Sequence, residues 1–343
     1  MQANDTVRIG FIGAGNHSTQ ALYPNFALID GCRLVAACDL QRERVQRVAD
    51  AYGLTPFTDI ATMLDSVELD AVCVCGMPDL HHEGALAALA RKLPVFIEKP
   101  PAPTLAQSAE LVRAAEAAGS FGMVGFMKRF APANVVTKEY VDSPAFGGLA
   151  TILLIHGAGP YDDMRRMLMF NGIHPIDVGR FLAGDVASVF AHAHVSPTGV
   201  QALCAAFRFA SGAVGQLNMN SGATWSDCYE QTYVAGRACQ ISIIGSREVE
   251  VMTPNGRFAR GEGMETYGWS NRYYVSGNMS GWSAGGHYTR GYYGELQHFV
   301  RAVRGEVQPK ATLGDGLEAM RIIDAILMSA NEGREVRLED IAM

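Results

Sequence analysis

Three short clusters in this chain hold residues suited to chemistry. The first is Gly13-Ala14-Gly15-Asn16-His17-Ser18, followed by Asp39 at the end of the next apolar run. The spacing is G-x-G-x-x-S, one step from the dinucleotide fingerprint. Gly13 permits a tight turn, Gly15 lets a pyrophosphate approach bare main chain, and Ser18 is small enough for a helix to pack on its strand. The amides that open the following helix suit a phosphate. A carboxylate at Asp39 can bond a ribose 2′-hydroxyl and repels a 2′-phosphate, which favours NAD. Arg42 and Arg44 follow closely and keep NADP as the alternative. A turn made only for packing is the other reading of the glycines.

The second cluster is Pro94–Pro101, PVFIEKPP. Glu98 and Lys99 stand where an apolar strand ends, and ligands of open α/β sheets bind at such carboxyl ends. Partial burial lowers a lysine pKa and suits it to proton transfer near neutrality. A solvated lysine after a strand is the plain alternative. The third is Gly172-Ile173-His174-Pro175-Ile176-Asp177. His174 and Asp177 share a helix face, so a carboxylate could fix the tautomer of a proton-carrying imidazole. A packing histidine, with Asp177 held instead by Arg180, is equally open. Pro78 and His82 sit after another strand, near the expected nucleotide edge. Cys73 with Cys75, and His192 with His194, share strand faces but lack further ligands, so no metal is expected.

These clusters need a scaffold, and the hydrophobic pattern supplies one. Arg8–Gly15, Arg33–Asp39, Asp70–Gly76, Pro94–Lys99 and Phe121–Met127 read as buried strands. Helical stretches at about Ser18–Leu28, Gln41–Tyr52, His81–Lys92 and Leu105–Ala118 alternate with them. Such alternation predicts a doubly wound parallel sheet of Rossmann type over residues 1–127. After about Phe130 it stops. Runs at Leu149–His156, Val186–Val195, Gln201–Phe209, Ala213–Asn220, Tyr229–Ala235, Arg237–Ile244 and Glu248–Met252 follow one another, many with period-two alternation. One helix, about Ile173–Leu182, interrupts them, and Tyr292–Arg304 and Leu313–Glu332 close the chain. Residues 128–343 therefore read as an α+β domain on a large, mainly antiparallel open sheet.

The 343 residues suffice for these two domains. With 48% apolar and 18% charged residues the chain can fill a core, which excludes wholesale disorder. A net charge of −7 with no basic block argues against nucleic acid as partner. No apolar run approaches the length of a membrane span, and MQANDTVRIG lacks a secretion-signal pattern. The odd count of seven cysteines, several in apolar runs, fits a reducing cytoplasm. The stretch Gly261–Gly291, rich in Tyr, Trp, Gly, Ser and Asn, suits a sugar-binding loop or an oligomer contact.

Taken together, RIGFIGAG, Asp39, the Pro78…His82 turn, EKP at Glu98–Pro100, GFMKRFAP at Gly125–Pro132, GIHPIDVGRFLAG and the C-terminal GYYGELQHFVRAV…DGLEAMRIIDAILMSANEGREV resemble the glucose–fructose oxidoreductase, inositol dehydrogenase and rhizopine-catabolism (Gfo/Idh/MocA) family. The resemblance covers nearly the whole chain. It implies NAD(P)-dependent oxidation or reduction of a sugar, inositol or related polyol, and homodimers or homotetramers built on the C-terminal sheet. Carried over by position, Lys99 would polarise the reacting hydroxyl and His174 would relay its proton. Gly13, Gly15, Asn16, His17, Asp39, Pro78, His82, Glu98 and Lys99 are then the expected cofactor contacts. Lys99, Lys128, Arg129, Asn171, His174 and His287 are the expected substrate contacts. One position departs from the pattern: family members carry an Asp four residues before the histidine, and here Phe170 stands there with Asn171 beside it. The resemblance thus also admits redox-assisted glycoside cleavage or a sugar hydride shuttle on tightly bound NAD, and a non-catalytic NAD-binding regulator.

Overall fold

Apolar runs that alternate with amphipathic stretches fold here as strand–helix units. The computed structural model describes residues 6–221, 230–237, 239–254, 268–274 and 284–342. The chain opens with β1 (Val7–Ile12), a π turn at Ser18–Leu22, α1 (Tyr23–Phe26), β2 (Cys32–Cys38) and α2 (Arg42–Tyr52). It continues through β3 (Thr55–Phe57), α3 (Ile60–Ser66), β4 (Ala71–Val74), α4 (Pro78–Leu89), β5 (Val95–Ile97), α5 (Leu105–Ala118) and β6 (Gly122–Val124). The six strands form one parallel sheet in the order β3-β2-β1-β4-β5-β6. The order reverses between β1 and β4, and that switch point is where such sheets take their ligands. Both faces of β4 and β5 are covered, which explains their unbroken apolar sequences, and β1 departs from this only at the half-exposed Arg8.

The sequence reading did not include β3 and α3, and two expected elements differ from it in detail. The helix expected from Ser18 to Leu28 is a π turn followed by one α-turn, because Ser18 and Thr19 hydroxyls bond back to the Gly15 carbonyl, each at 2.9 Å. The last parallel strand stops at Val124, where Gly125 hands the chain to a 3₁₀ turn at Met127–Phe130.

A second architecture follows: α6 (Pro132–Asp142), β7 (Leu149–Gly157), α7 (Met164–Met167), a π turn at Leu168–Gly172, α8 (Ile173–Ala183), β8 (Val186–Ser196), β9 (Gly199–Phe209) and β10 (Val214–Asn220). Then come β11 (Glu230–Gly236), β12 (Gln240–Ile244), β13 (Glu248–Pro254) and β14 (Gly268–Tyr274). These strands, with a short final one, make a nine-stranded sheet whose pairings are antiparallel except β7 with β10. Along β7, Ile152, Leu154 and His156 are buried while Leu153 and Ile155 are half-exposed, the period-two signature of a sheet covered on one face. Helix α8 supplies the cover: a Cβ on Gly179 would come within 3.1 Å of Leu154.

The chain ends with α9 (Ala284–Arg290), α10 (Tyr292–Val303), α11 (Leu313–Glu332) and β15 (Val336–Arg337), which pairs with β8. Two compact units result. Residues 1–130 and 278–321 make the first, and residues 131–277 and 322–342 the second. Helix α10 belongs to the first because Tyr292, Leu296, Phe299 and Val300 form one apolar stripe that joins the core of the parallel sheet. The Phe299 ring lies 5.7 Å from that of Phe96 on β5. No helix among the described residues is long and apolar enough to cross a membrane.

Candidate active site

In the first unit the site grows from the turn after β1. Gly13 adopts φ +107, and a Cβ there would sit 1.9 Å from the Cys75 carbonyl oxygen, so only glycine fits. Its N–H donates to Cys38 O at 2.7 Å, and its carbonyl accepts the buried Tyr23 hydroxyl at 3.2 Å. Gly15 is the opposite case. Nothing lies within 4 Å of where its Cβ would be. The bare backbone there faces open space, the room a diphosphate needs. Both Asp39 carboxylate oxygens accept main-chain N–H groups, Ala14 at 2.8 Å and Gln41 at 2.9 Å. Asp39 therefore locks the glycine turn to the end of β2, and its remaining lone pairs stay available to a ribose. Leu40, 87% exposed, and Met77, 62% exposed, follow β2 and β4 as bare apolar side chains on either side of that turn.

The strand ends bring buried charge together. Glu98, after β5, is 3% exposed. One of its oxygens meets His17 Nε2 at 3.3 Å and the other accepts the Lys99 N–H at 3.1 Å. Gly125 makes space for this carboxylate, since a Cβ there would come within 2.9 Å of it. Burial works against the Glu98 charge, but His17, Lys99 and His81 outweigh it and hold the carboxyl below its ordinary range. Burial pushes the half-buried Lys99 ammonium down from its ordinary value. Lys128 adds to the effect, and Glu98 and Cys75 resist it. His17, Glu98, Lys99 and Lys128, expected from sequence as site residues, thus lie in one electrostatic neighbourhood. Asn16 is exposed in the turn, and Pro78 is buried at the start of α4.

His82 is engaged elsewhere. His82 Nε2 meets Glu110 on α5 at 2.9 Å, on the outer side of α4. The adjacent His81, which the sequence reading passed over, is the one at the strand edge. It is fully buried, accepts the Gly76 N–H on Nε2 at 3.0 Å and therefore donates from Nδ1 to Pro100 O at 2.7 Å. This neutral imidazole ties the end of β4 to the cis Lys99–Pro100 turn, and burial pulls its pKa down to about 4. Tyr23 was also passed over, because an apolar-stripe reading does not reveal a hydroxyl aimed at a turn. Arg129 is paired with Asp315 of α11 at 3.1 Å and lies 5.8 Å from the Phe126 ring. His287 lies on α9, its ring 6.4 Å from that of Tyr292. Residues 261–267 and 275–283 of the aromatic stretch lie outside the described residues.

In the second unit, His174 and Asp177 are both buried on α8, His174 at 8% exposure. Arg180 pairs with Asp185 at 2.7 Å. Asn171, in the π turn before α8, donates from Nδ2 to Ala158 O and to Tyr161 Oη, each at 2.9 Å. Both amide hydrogens are thereby spent, so Asn171 can offer a ligand only its carbonyl oxygen. Among the described residues no group of three or more metal-ligating side chains is clustered.

Comparison with known proteins agrees with this fold. The myo-inositol 2-dehydrogenase of Thermotoga maritima is 26% identical over 98% of this chain and 99% of its own length. The inositol 2-dehydrogenase 2 of Saccharopolyspora erythraea is 31% identical, but the match covers 54% of this chain and 57% of that protein, so the chain spans little more than half of that relative's length. A dehydrogenase from Chromobacterium violaceum of known structure superposes with a TM-score of 0.83 at 25% identity, covering 96% of each chain. Residues 7–126 match the NAD-binding Rossmann fold of the Gfo/Idh/MocA oxidoreductases, and residues 164–338 match their C-terminal alpha/beta domain. On these two matches, which together take in most of its length, the chain belongs to the Gfo/Idh/MocA oxidoreductase family.

Proposed function

We propose that the protein is an NAD-dependent dehydrogenase that passes a hydride between the nicotinamide and a hydroxyl or keto carbon of a sugar, inositol or related polyol. The observation that carries this reading is Lys99: a half-buried amine with a lowered pKa, at the carboxyl end of β5 in the sheet that carries the glycine turn. Gly13, Gly15 and Asp39 fit a dinucleotide, with open space at Gly15 for the diphosphate and a carboxylate for the ribose. Bound NAD would supply the hydride acceptor. Lys99 holds the reacting hydroxyl and lowers its proton affinity, Glu98 and His17 keep the Lys99 turn in place, and His174 takes the proton. The Asp39 charge supports NAD over NADP. The names of the inositol dehydrogenase relatives support a polyol.

The test is a panel of aldoses, sugar acids and inositols followed by NADH absorbance, with NAD and NADP in parallel. Net NADH with at least one polyol is expected. Cofactor binding without turnover across the panel sinks the reading. A second reading rests on Phe170, which stands where the resemblance implies a carboxylate: NAD kept on the protein and used without net turnover, as in redox-assisted glycoside cleavage or a hydride shuttle. NADH accumulating in proportion to substrate consumed excludes it.

Two further points belong to this reading. Leu153, Ile155, Tyr233 and the 44%-exposed Ile244 line a shallow hollow of about 120 Å³ on the uncovered face of the large sheet. That row supports self-association there as a dimer or tetramer, and light scattering would detect a monomer if it is wrong. Cys38, Cys73, Cys75 and Cys239 are buried free thiols, which supports a reducing, cytoplasmic setting.

A further inference from the structure

The second unit carries a hydroxyl, that of Tyr161, held by Asn171 three residues before His174. Tyr161 follows β7, where its backbone bridges Val200. Its phenol oxygen lies 2.9 Å from Asn171 Nδ2, and the same nitrogen lies 2.9 Å from Ala158 O. A carbonyl oxygen can only accept, so the Ala158 contact fixes which way the Asn171 amide points. The second amide hydrogen then goes to Tyr161, whose oxygen is the acceptor. The phenol must direct its own hydrogen elsewhere. Among the described residues, Asn171 is the one hydrogen-bond partner of the Tyr161 hydroxyl. Asn171 and His174 are three apart, and the π turn at Leu168–Gly172 ends between them. Single π turns of this kind recur at functional sites.

We propose that Tyr161 is a substrate-binding residue: held by Asn171 as a preset donor, it selects polyols or their ketones that place an acceptor oxygen beside His174. The proposal rests on the dehydrogenase reading for the site to which Tyr161 belongs. It gives meaning to Phe170. With an apolar ring in place of the expected carboxylate, this side of the site loses an acceptor. The Tyr161 phenol supplies a donor instead, so the preferred substrate oxygen changes from one that gives a hydrogen to one that receives it. Burial raises the Tyr161 pKa, with Arg166 opposing, so the phenol keeps its proton across the neutral range. The ionisable group that bears on it is Arg166 on α7.

Two measurements decide the matter. Tyr161→Phe removes the donor and keeps the ring. With NAD and myo-inositol or methyl α-D-glucoside, or NADH and 2-keto-myo-inositol, as probes, kcat/KM should fall about 3–10-fold, the worth of one neutral hydrogen bond to a ligand. NADH affinity and Tm should stay near wild type. Unchanged kcat/KM, or a loss matched in NADH affinity, overturns the proposal. The second measurement needs no turnover. The Cζ resonance of Tyr161 in protein carrying ¹³C-tyrosine, assigned by its absence in Tyr161→Phe, is titrated with NADH and the same three probes. A shift with at least one probe supports the assignment even where none yields NADH, an outcome that would sink the dehydrogenase reading alone. No shift with any probe overturns the assignment.

Discussion

At the carboxyl edge of the parallel sheet, main chain does most of the holding. Gly13 bonds Cys38 O, Asp39 receives two backbone N–H groups, and His81 spans the Gly76 N–H and the Pro100 carbonyl. Around α8 the second unit works through side chains: Asn171 orients Tyr161, and His174 and Asp177 are buried. A backbone-built site demands particular residues at particular torsions, so it leaves a motif. A side-chain-built site can exchange one hydroxyl or amide for another while its scaffold persists, which is how Phe170 can stand where a carboxylate is expected.

The sharpest way to break this contrast is chemical. Lys99→Ala should lower kcat by about 100-fold or more, the range for a positioned acid–base group, measured as NADH formation with the best substrate of the panel. Near-normal turnover would remove Lys99 from the chemistry and leave the first unit a cofactor holder only. Next come the two glycines. Gly13→Ala should cost at least roughly 1–3 kcal/mol of stability, because both its torsion and the Cys75 carbonyl oppose a Cβ. Gly15→Ala should leave Tm unchanged yet weaken NAD binding about tenfold by filling the space the diphosphate needs. Differential scanning calorimetry and titration calorimetry separate the two. Equal destabilisation would show that Gly15 is structural as well.

His81 gives a pH test of the same edge. Its folded pKa of about 4 lies below the ordinary 6.5. The stability it contributes is therefore complete above about pH 6.5 and is lost as pH falls towards 4, where the unfolded chain takes up a proton that the folded chain refuses. The loss is at most ~3 kcal/mol. His81→Gln should be less stable at neutral pH by roughly 1–3 kcal/mol, through poorer pairing of Gly76 and Pro100, and should show a flatter fall in Tm over that window. The smallest effect belongs to its neighbour. His82→Ala, which removes a surface contact to Glu110, should change stability by under about 1 kcal/mol and leave NAD affinity alone. A clear loss of NAD binding in His82→Ala would restore His82 to the cofactor edge.

What could be read from sequence follows the same division. The glycine turn, Asp39 and the EKP block stood out because local torsion, charge and strand endings fix them. The strands of the large sheet showed as alternation, but the parallel pairing of β7 with β10 did not, since period-two patterns are blind to direction. Helix α6, β3 with its central Pro56, and the two-residue β15 were too short or too mixed to register. His81 was hidden because a histidine within an Ala- and Leu-rich helix gives no sign of which carbonyl it will meet. Tyr161 was hidden because its orientation is set by Asn171, ten residues on.

The stripe of Tyr292, Leu296 and Phe299 carries one more consequence. The nucleotide-binding body is interrupted in sequence: its last layer, residues 278–321, is synthesised only after residues 131–277 of the other body. A fragment cut at Phe130 would expose the oily bed around Phe96 and Phe121 that Phe299 fills. Grafting a different substrate half onto this cofactor half by end-to-end fusion would therefore leave the acceptor unfinished. Only an insertion, with both flanking pieces retained, keeps it whole.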